Sequence, residues 1–241
     1  MNLLFDLGNS RLKWAIFEHN QFQIGKSLSH VEITDSILVE LLHELKPKKI
    51  GISNVGKNTF LNVITTVLCE LWRDIPIYFA TSQFEAFGVK NAYFQPEKLG
   101  VDRFLALIAA RQKTDLSLCV VDCGTAITVD ILNENGEHQG GLICAGLTLM
   151  KNALASNTAD LPFVNSTQQI GLATETESAI YNGALFSACG LIEKVMQKQP
   201  QNTKLFLTGG DAKIISTQLN CTFTFEKNLV LEGLNLFLNS K

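Results

Sequence analysis

Two stretches of this chain share one alternation of apolar and polar positions. Near the start, Leu3, Leu4 and Phe5 run into Asp6, then Gly8, Asn9 and Ser10 interrupt before a second apolar run begins. Near the middle, Cys119, Val120 and Val121 lead to Asp122, Gly124 and Thr125, and again a second run follows. The patterning predicts strands over residues 2–6, 13–18 and 21–27 with a polar turn at 18–21, so the chain opens as an antiparallel meander. Helical spacing follows over 36–45, a strand over 49–53, a helix over 58–72 and a strand over 76–79. A loop rich in Gly, Asn and Pro covers 87–100 and leads into a helix over 102–113.

After that helix the opening pattern returns. The second meander turns at 133–136, Gly140 and Gly141 follow, and helices are expected over 147–156 and 177–197. A strand over 204–207 runs into Thr208, Gly209, Gly210 and Asp211; a strand near 221–225 and an amphipathic helix from about 229 complete the chain. Asp122 follows Asp6 by close to half the chain, so the halves read as duplicated meander-plus-helix units. The expectation is an α/β protein with domains at 1–115 and 116–241, packed face to face around a cleft.

Composition narrows the function classes. The 241 residues are 46% hydrophobic and 18% charged with a formal net charge of −3, which describes a folded chain without the basic surface a nucleic-acid partner requires. Six cysteines form no CxxC pair and several lie in apolar runs, so they read as reduced thiols of a cytoplasmic protein. Asp6 interrupts the first apolar run, and no apolar stretch reaches a spanning length, so neither a signal peptide nor a membrane partner is expected. The four histidines lack metal-ligand spacing, which argues against histidine chemistry.

A lone Asp-x-Gly is an ordinary hairpin tip. Two of them at equivalent places in like halves change the weighing. Carboxylates beside exposed N–H groups suit a metal-bound polyphosphate, because the carboxylates hold the cation and small residues let phosphate oxygens reach the backbone. Residues 51–58 nearly spell a phosphate-binding GxxxxGK[ST] loop, but Asn58 stands where a hydroxyl is required, and a strand-to-helix connection is the better reading. At the helix that follows the loop, Asp102 reads either as an N-cap or as the acceptor of a substrate hydroxyl proton, and Arg103 as an anion clamp or a salt-bridge partner.

Four motifs stand in order: Asp6-Leu7-Gly8-Asn9-Ser10; Gly100-Val101-Asp102-Arg103; 122–130, reading DCGTAITVD; and 140–146, reading GGLICAG. Together they resemble the motifs of type III pantothenate kinases, over essentially the whole chain. The resemblance implies the acetate and sugar kinase/Hsp70/actin superfamily, whose two ribonuclease-H-like halves form the actin-like ATPase fold and match the duplication. It implies ATP-dependent phosphorylation of pantothenate in the cytoplasm, with Mg2+ and a monovalent cation, K+ or NH4+, and a homodimer. Carried over by motif, Asp6, Leu7, Gly8, Asn9, Ser10, Arg11, Leu12, Lys13 and Thr125 would contact ATP, and Asp102 would be the catalytic base. Asp122 would hold the monovalent cation, and Tyr93, Gly100, Val101, Asp102, Arg103 and Thr176 would bind pantothenate. Thr208 to Asp211 resembles the nucleotide-side glycine turn. Ser10 replaces the family's usual Thr and keeps the hydroxyl, while Ala145 replaces its usual Pro and removes no donor or charge. A non-catalytic relative acting as a regulatory accessory factor is the competing class.

Overall fold

Leu3, Leu4, Phe5 and Leu7 are fully buried because β1 (Asn2–Leu7) runs through the middle of a sheet that is covered on both faces. The computed structural model describes residues 1–165 and 169–241. Within them the chain forms two compact units, Met1–Lys113 together with Asn228–Lys241, and Thr114–Lys227.

In the first unit β1 pairs antiparallel with β2 (Arg11–Glu18), which pairs antiparallel with β3 (Gln21–Ile24). The β2–β3 turn uses His19 and Asn20, both at positive φ (51° and 60°), the twist that a two-residue hairpin favours. A short β4 (Leu28–Ser29) adds to the start of β2. Crossovers through α1 (Asp35–Leu42) and α2 (Asn58–Leu71) then bring β5 (Lys49–Asn54) and β6 (Ile77–Phe79) in parallel beside β1, giving the order β3-β2-β1-β5-β6. Leu3, Phe5, Ile50 and Ile52 form a core with Leu38 and Leu42 of α1 and Ile64, Val67 and Leu68 of α2. The expected loop over 87–100 is more structured than its composition suggests. It begins within a hairpin of β7 (Glu85–Ala86) and β8 (Val89–Lys90), turned by Phe87 and Gly88 at positive φ, and it leads to α3 (Val101–Arg111).

The second unit repeats this order. Strands β9 (Leu118–Cys123), β10 (Ala126–Leu132) and β11 (His138–Ala145) form the meander. After α4 (Leu147–Asn157) and α5 (Thr176–Met196), β12 (Lys204–Thr208) and β13 (Thr224–Phe225) add in parallel, giving β11-β10-β9-β12-β13. Short α6 (Ala212–Ser216) follows β12. Cys119, Val121, Cys123, Ile127 and Val129 pack with Leu185, Ala188 and Ile192 of α5.

One expectation is corrected. The last helix, α7 (Leu229–Asn239), was expected with residues 116–241 but belongs to the first unit. It lies on the sheet face opposite α1 and α2, where Leu234 and Leu238 meet Leu4 over Gly51. Gly233 presses on the Leu105 backbone so closely that a Cβ there would collide with it, while Glu232 pairs with Lys113 at 2.9 Å. Eight residues of α7 are buried. The physical reason is the bare sheet face: without α7, Leu4 and the α3 side chains facing it would stay in water.

Candidate active site

The first glycine turn joins β1 to β2. Asp6 is only 6% exposed, and its Oδ1 accepts a hydrogen bond from Ser53 Oγ at 3.0 Å. Ser53 is there because β5 pairs in parallel with β1 and sets residues 6 and 53 side by side. Lys13 lies opposite Asp6 on β2 and is half-buried. At the tip, the Gly8 N–H donates to the Arg11 carbonyl at 3.0 Å, while Asn9 and Ser10 are exposed. Arg11 turns its guanidinium to Ser27, Nε to Oγ at 2.9 Å and Nη2 to the carbonyl at 3.1 Å. Leu7 and Leu12 are fully buried, so any contact they make with a ligand runs through the backbone.

Residues 51–58, the near miss to a phosphate loop, are a strand-to-helix connection packed against this turn. The N–H groups of Val55 and Gly56 both donate to the Leu7 carbonyl, at 3.0 and 3.1 Å. Gly56 has to be glycine, since a Cβ there would stand 2.7 Å from the Gly8 carbonyl oxygen.

The second unit holds the equivalent turn. Asp122, near the end of β9, stands opposite Thr128 on β10 and beside Thr208 on β12, so each motif aspartate has a hydroxyl residue next to it on the parallel strand. Gly124 N–H donates to the Ala126 carbonyl at 3.1 Å, and Gly146 N–H to the Thr125 carbonyl at 2.9 Å. The exposed Thr125 hydroxyl is at the tip. Thr208 to Asp211 closes over the strand end: Gly209 sits at φ +95°, a Cβ on it would collide with Asp122 Oδ1, and the Asp211 N–H donates to the Cys123 carbonyl at 2.9 Å. Burial pushes the Asp211 carboxyl above its usual range, against the pull of the Lys151 ammonium. Lys151 is itself buried, 5.0 Å from the Tyr181 ring and 5.6 Å from that of Phe163. Burial also pushes the Cys119 and Cys123 thiols up, and Cys189 to about 11, which leaves them unreactive.

The third cluster opens α3. The N-cap is Gly100, with no side-chain cap, and Asp102 is the second helical residue. The N-cap reading of Asp102 is therefore corrected: its Oδ1 accepts the adjacent Arg103 N–H at 2.8 Å. Arg103 is 7% exposed and donates from Nη1 to the Tyr93 hydroxyl at 3.0 Å, which brings two expected pantothenate residues together. Buried Asn91 organises that loop, accepting the Tyr93 N–H at 3.0 Å and donating to the Gln83 and Pro96 carbonyls. Thr176 opens α5 with an exposed side chain, and among the described residues no hydrogen bond joins it to another candidate. Asp130, part of the third motif, is held differently, buried and bonded to His138 Nε2 at 2.9 Å.

Sequence reasoning missed Ser53, Asn91 and His30, whose Nε2 lies 3.1 Å from the Gly8 carbonyl oxygen. A serine closing the β5 apolar run, at the same step as Asp6 in β1, was the available signal for Ser53. The donor set of both turns fits a hard cation and phosphate: strand-end carboxylates, hydroxyls and bare backbone, with glycines where a Cβ would fill the space.

The family model of type III pantothenate kinase matches residues 2–198. A type III pantothenate kinase from Nitrosococcus oceani is 35% identical over 246 residues, covering 97% of this chain and 92% of that one. Among solved structures, a Campylobacter jejuni protein carrying the name of a Baf family transcriptional activator superposes with a TM-score of 0.63 at 22% identity, covering 99% and 98% of the two chains. The activator of the 2-hydroxyisocaproyl-CoA dehydratase from Clostridium difficile, with bound ADPNP, has a TM-score of 0.57 at 11% identity, over 99% and 94%. These two likenesses show the fold, the actin-like ATPase fold of two ribonuclease-H-like halves.

Proposed function

The chain belongs to the type III pantothenate kinase family, and from that premise we propose how its residues divide the ATP-dependent phosphorylation of pantothenate, the first step of coenzyme A biosynthesis. The primary hydroxyl oxygen of pantothenate attacks the γ-phosphorus; an O–P bond forms, the bond to the ADP oxygen breaks, and the hydroxyl proton moves to the Asp102 carboxylate. The transition state is loose, so the base needs orientation more than strength. Asp102 has it, fixed at the start of α3 through the Arg103 N–H. This placement, beside the Arg103–Tyr93 pair, is the observation that carries the reading.

Tyr93, Gly100, Val101, Arg103 and Thr176 bind pantothenate, with the Arg103 guanidinium facing its anionic end. The backbone of residues 7–12, the Ser10 and Thr125 hydroxyls and the Lys13 ammonium hold the ATP phosphates, joined by whatever reach Arg11 keeps from Ser27. Asp6 would help hold Mg2+, which when bound would supply charge neutralisation. Asp122 holds a monovalent cation, K+ or NH4+. We also propose a homodimer, supported by exposed Leu149, Leu154 and Phe186 on α4 and α5, and a cytoplasmic location, where free thiols stay reduced. Among the described residues no helix is long and apolar enough to cross a membrane.

The accessory-factor reading is not favoured, because curated relatives at 33–35% identity over nearly the whole chain carry the kinase name. The deciding test couples ADP release to a colour change. ADP formation that needs added pantothenate supports the assignment, and ADP formation indifferent to pantothenate refutes it.

A further inference from the structure

His30 has no part in the reaction as set out above, yet it touches the first glycine turn. In a closed two-residue hairpin the flanking residues exchange two backbone hydrogen bonds. Here only one is made, Gly8 N–H to the Arg11 carbonyl. The return bond, Arg11 N–H to the Gly8 carbonyl, is not among the described ones; the Gly8 carbonyl instead faces His30 Nε2 at 3.1 Å. A carbonyl only accepts, so Nε2 carries the hydrogen.

Several features hold the ring there. Strand β4 pairs Ser29 with Arg11, which carries the chain across the turn. Glu32 then accepts from the Ser29 N–H at 2.7 Å and from its hydroxyl at 2.6 Å, fixing the single 3-10 turn His30–Glu32. The imidazole lies on Phe60, ring centres 4.2 Å apart. From another direction Gly56 confines the same carbonyl oxygen.

We propose that His30 is a positioning residue for the nucleotide: by holding the Gly8 carbonyl, it aims the Asn9 N–H at the ATP phosphates. The link is peptide planarity. Carbonyl and N–H of the trans Gly8–Asn9 peptide point in opposite directions, and fixing one fixes the other. The Asn9 N–H meets no acceptor among the described residues, and the side chain is exposed at the tip. In the second unit a carbonyl of the turn is held by backbone alone, Gly146 N–H donating to the Thr125 carbonyl at 2.9 Å. A pre-aimed donor costs no reorganisation when the phosphate arrives.

The inference rests on reading this turn as the nucleotide site, and its test does not depend on pantothenate turnover. A non-hydrolysable ATP analogue with Mg2+ is titrated calorimetrically into the wild type, H30F and H30Q. H30F keeps the stacking on Phe60 and loses the donor, so its affinity should fall about tenfold, with melting temperature and the calorimetric affinity for pantothenate near wild type. H30Q restores a donor and should recover part of the loss. An H30F protein that binds the analogue as tightly as wild type overturns the inference, as does equal weakening towards both substrates. Should H30F not fold, the backbone amide resonance of Asn9 in the wild type decides: a large shift on adding the analogue supports the role, and an unmoved resonance refutes it. A wild type that binds the analogue with the His30 effect but phosphorylates nothing refutes the kinase reading alone.

Discussion

Ser53 reaches Asp6 from the neighbouring parallel strand, Oγ to Oδ1 at 3.0 Å, with the serine fully buried. The bond fixes the orientation of the carboxylate at the strand end. Replacing Ser53 with Ala should raise the KM for ATP about threefold to tenfold and leave the KM for pantothenate unchanged. Steady-state kinetics with each substrate varied in turn will check this.

Asp102→Asn tests the base. Asn keeps an Oδ1 to accept the Arg103 N–H, so helix α3 should start as before. The basic oxygen is gone, and kcat should fall about a hundredfold or more, with melting temperature and ATP affinity little changed. Turnover close to wild type would remove Asp102 from the chemical step.

Tyr93→Phe takes one hydrogen-bond acceptor from the buried Arg103 guanidinium. The expected outcome is a KM for pantothenate raised several-fold and a stability loss of about 1–2 kcal/mol, read from denaturant melts. An unchanged KM would make the pair purely structural.

Asp122→Asn should abolish any dependence on K+ or NH4+. In the wild type, ATP binding should weaken when both are replaced by Na+, since the carboxylate and the nucleotide then lose their counter-charge. Titrations of KCl and NH4Cl against NaCl will decide.

Asp211 should carry a pH signature. Burial raises its pKa in the folded state above the unfolded value, so the fold binds its proton more tightly. Its stabilising contribution is complete below the unfolded pKa and is lost as pH rises through the folded one. Asp211→Asn should therefore melt higher than wild type at neutral pH, and the gap should close as pH falls towards 4. Melting curves across that range will show whether it does.

Much of this was legible in the chain. Asp6 and Asp122, each ending an apolar run and followed by Gly, marked both turns, because a meander is local and its period is short. The partners brought by crossovers were not. Ser53 and Thr208 come beside their aspartates only through parallel pairing after helical crossovers, α1 for Ser53 and α4 with α5 for Thr208, and no spacing rule announces that register. His30 was set aside on metal spacing, whereas its partner is a backbone carbonyl. Asp102 looked like a cap because it precedes the helical periodicity, yet the helix begins one residue earlier, with Gly100 outside it. The return of α7 was invisible because amphipathicity says that a face is buried, not against which sheet.

That return has a consequence for biosynthesis. The unit of Thr114–Lys227 is one uninterrupted stretch, whereas the first unit lacks its sheet cover until Asn228–Lys241 has been made. As the chain leaves the ribosome, the later-coded unit can finish first, while the earlier one waits with Leu4 and α3 uncovered. Nascent chains stalled before residue 228 should therefore be held by chaperones or cut by proteases within their first hundred residues.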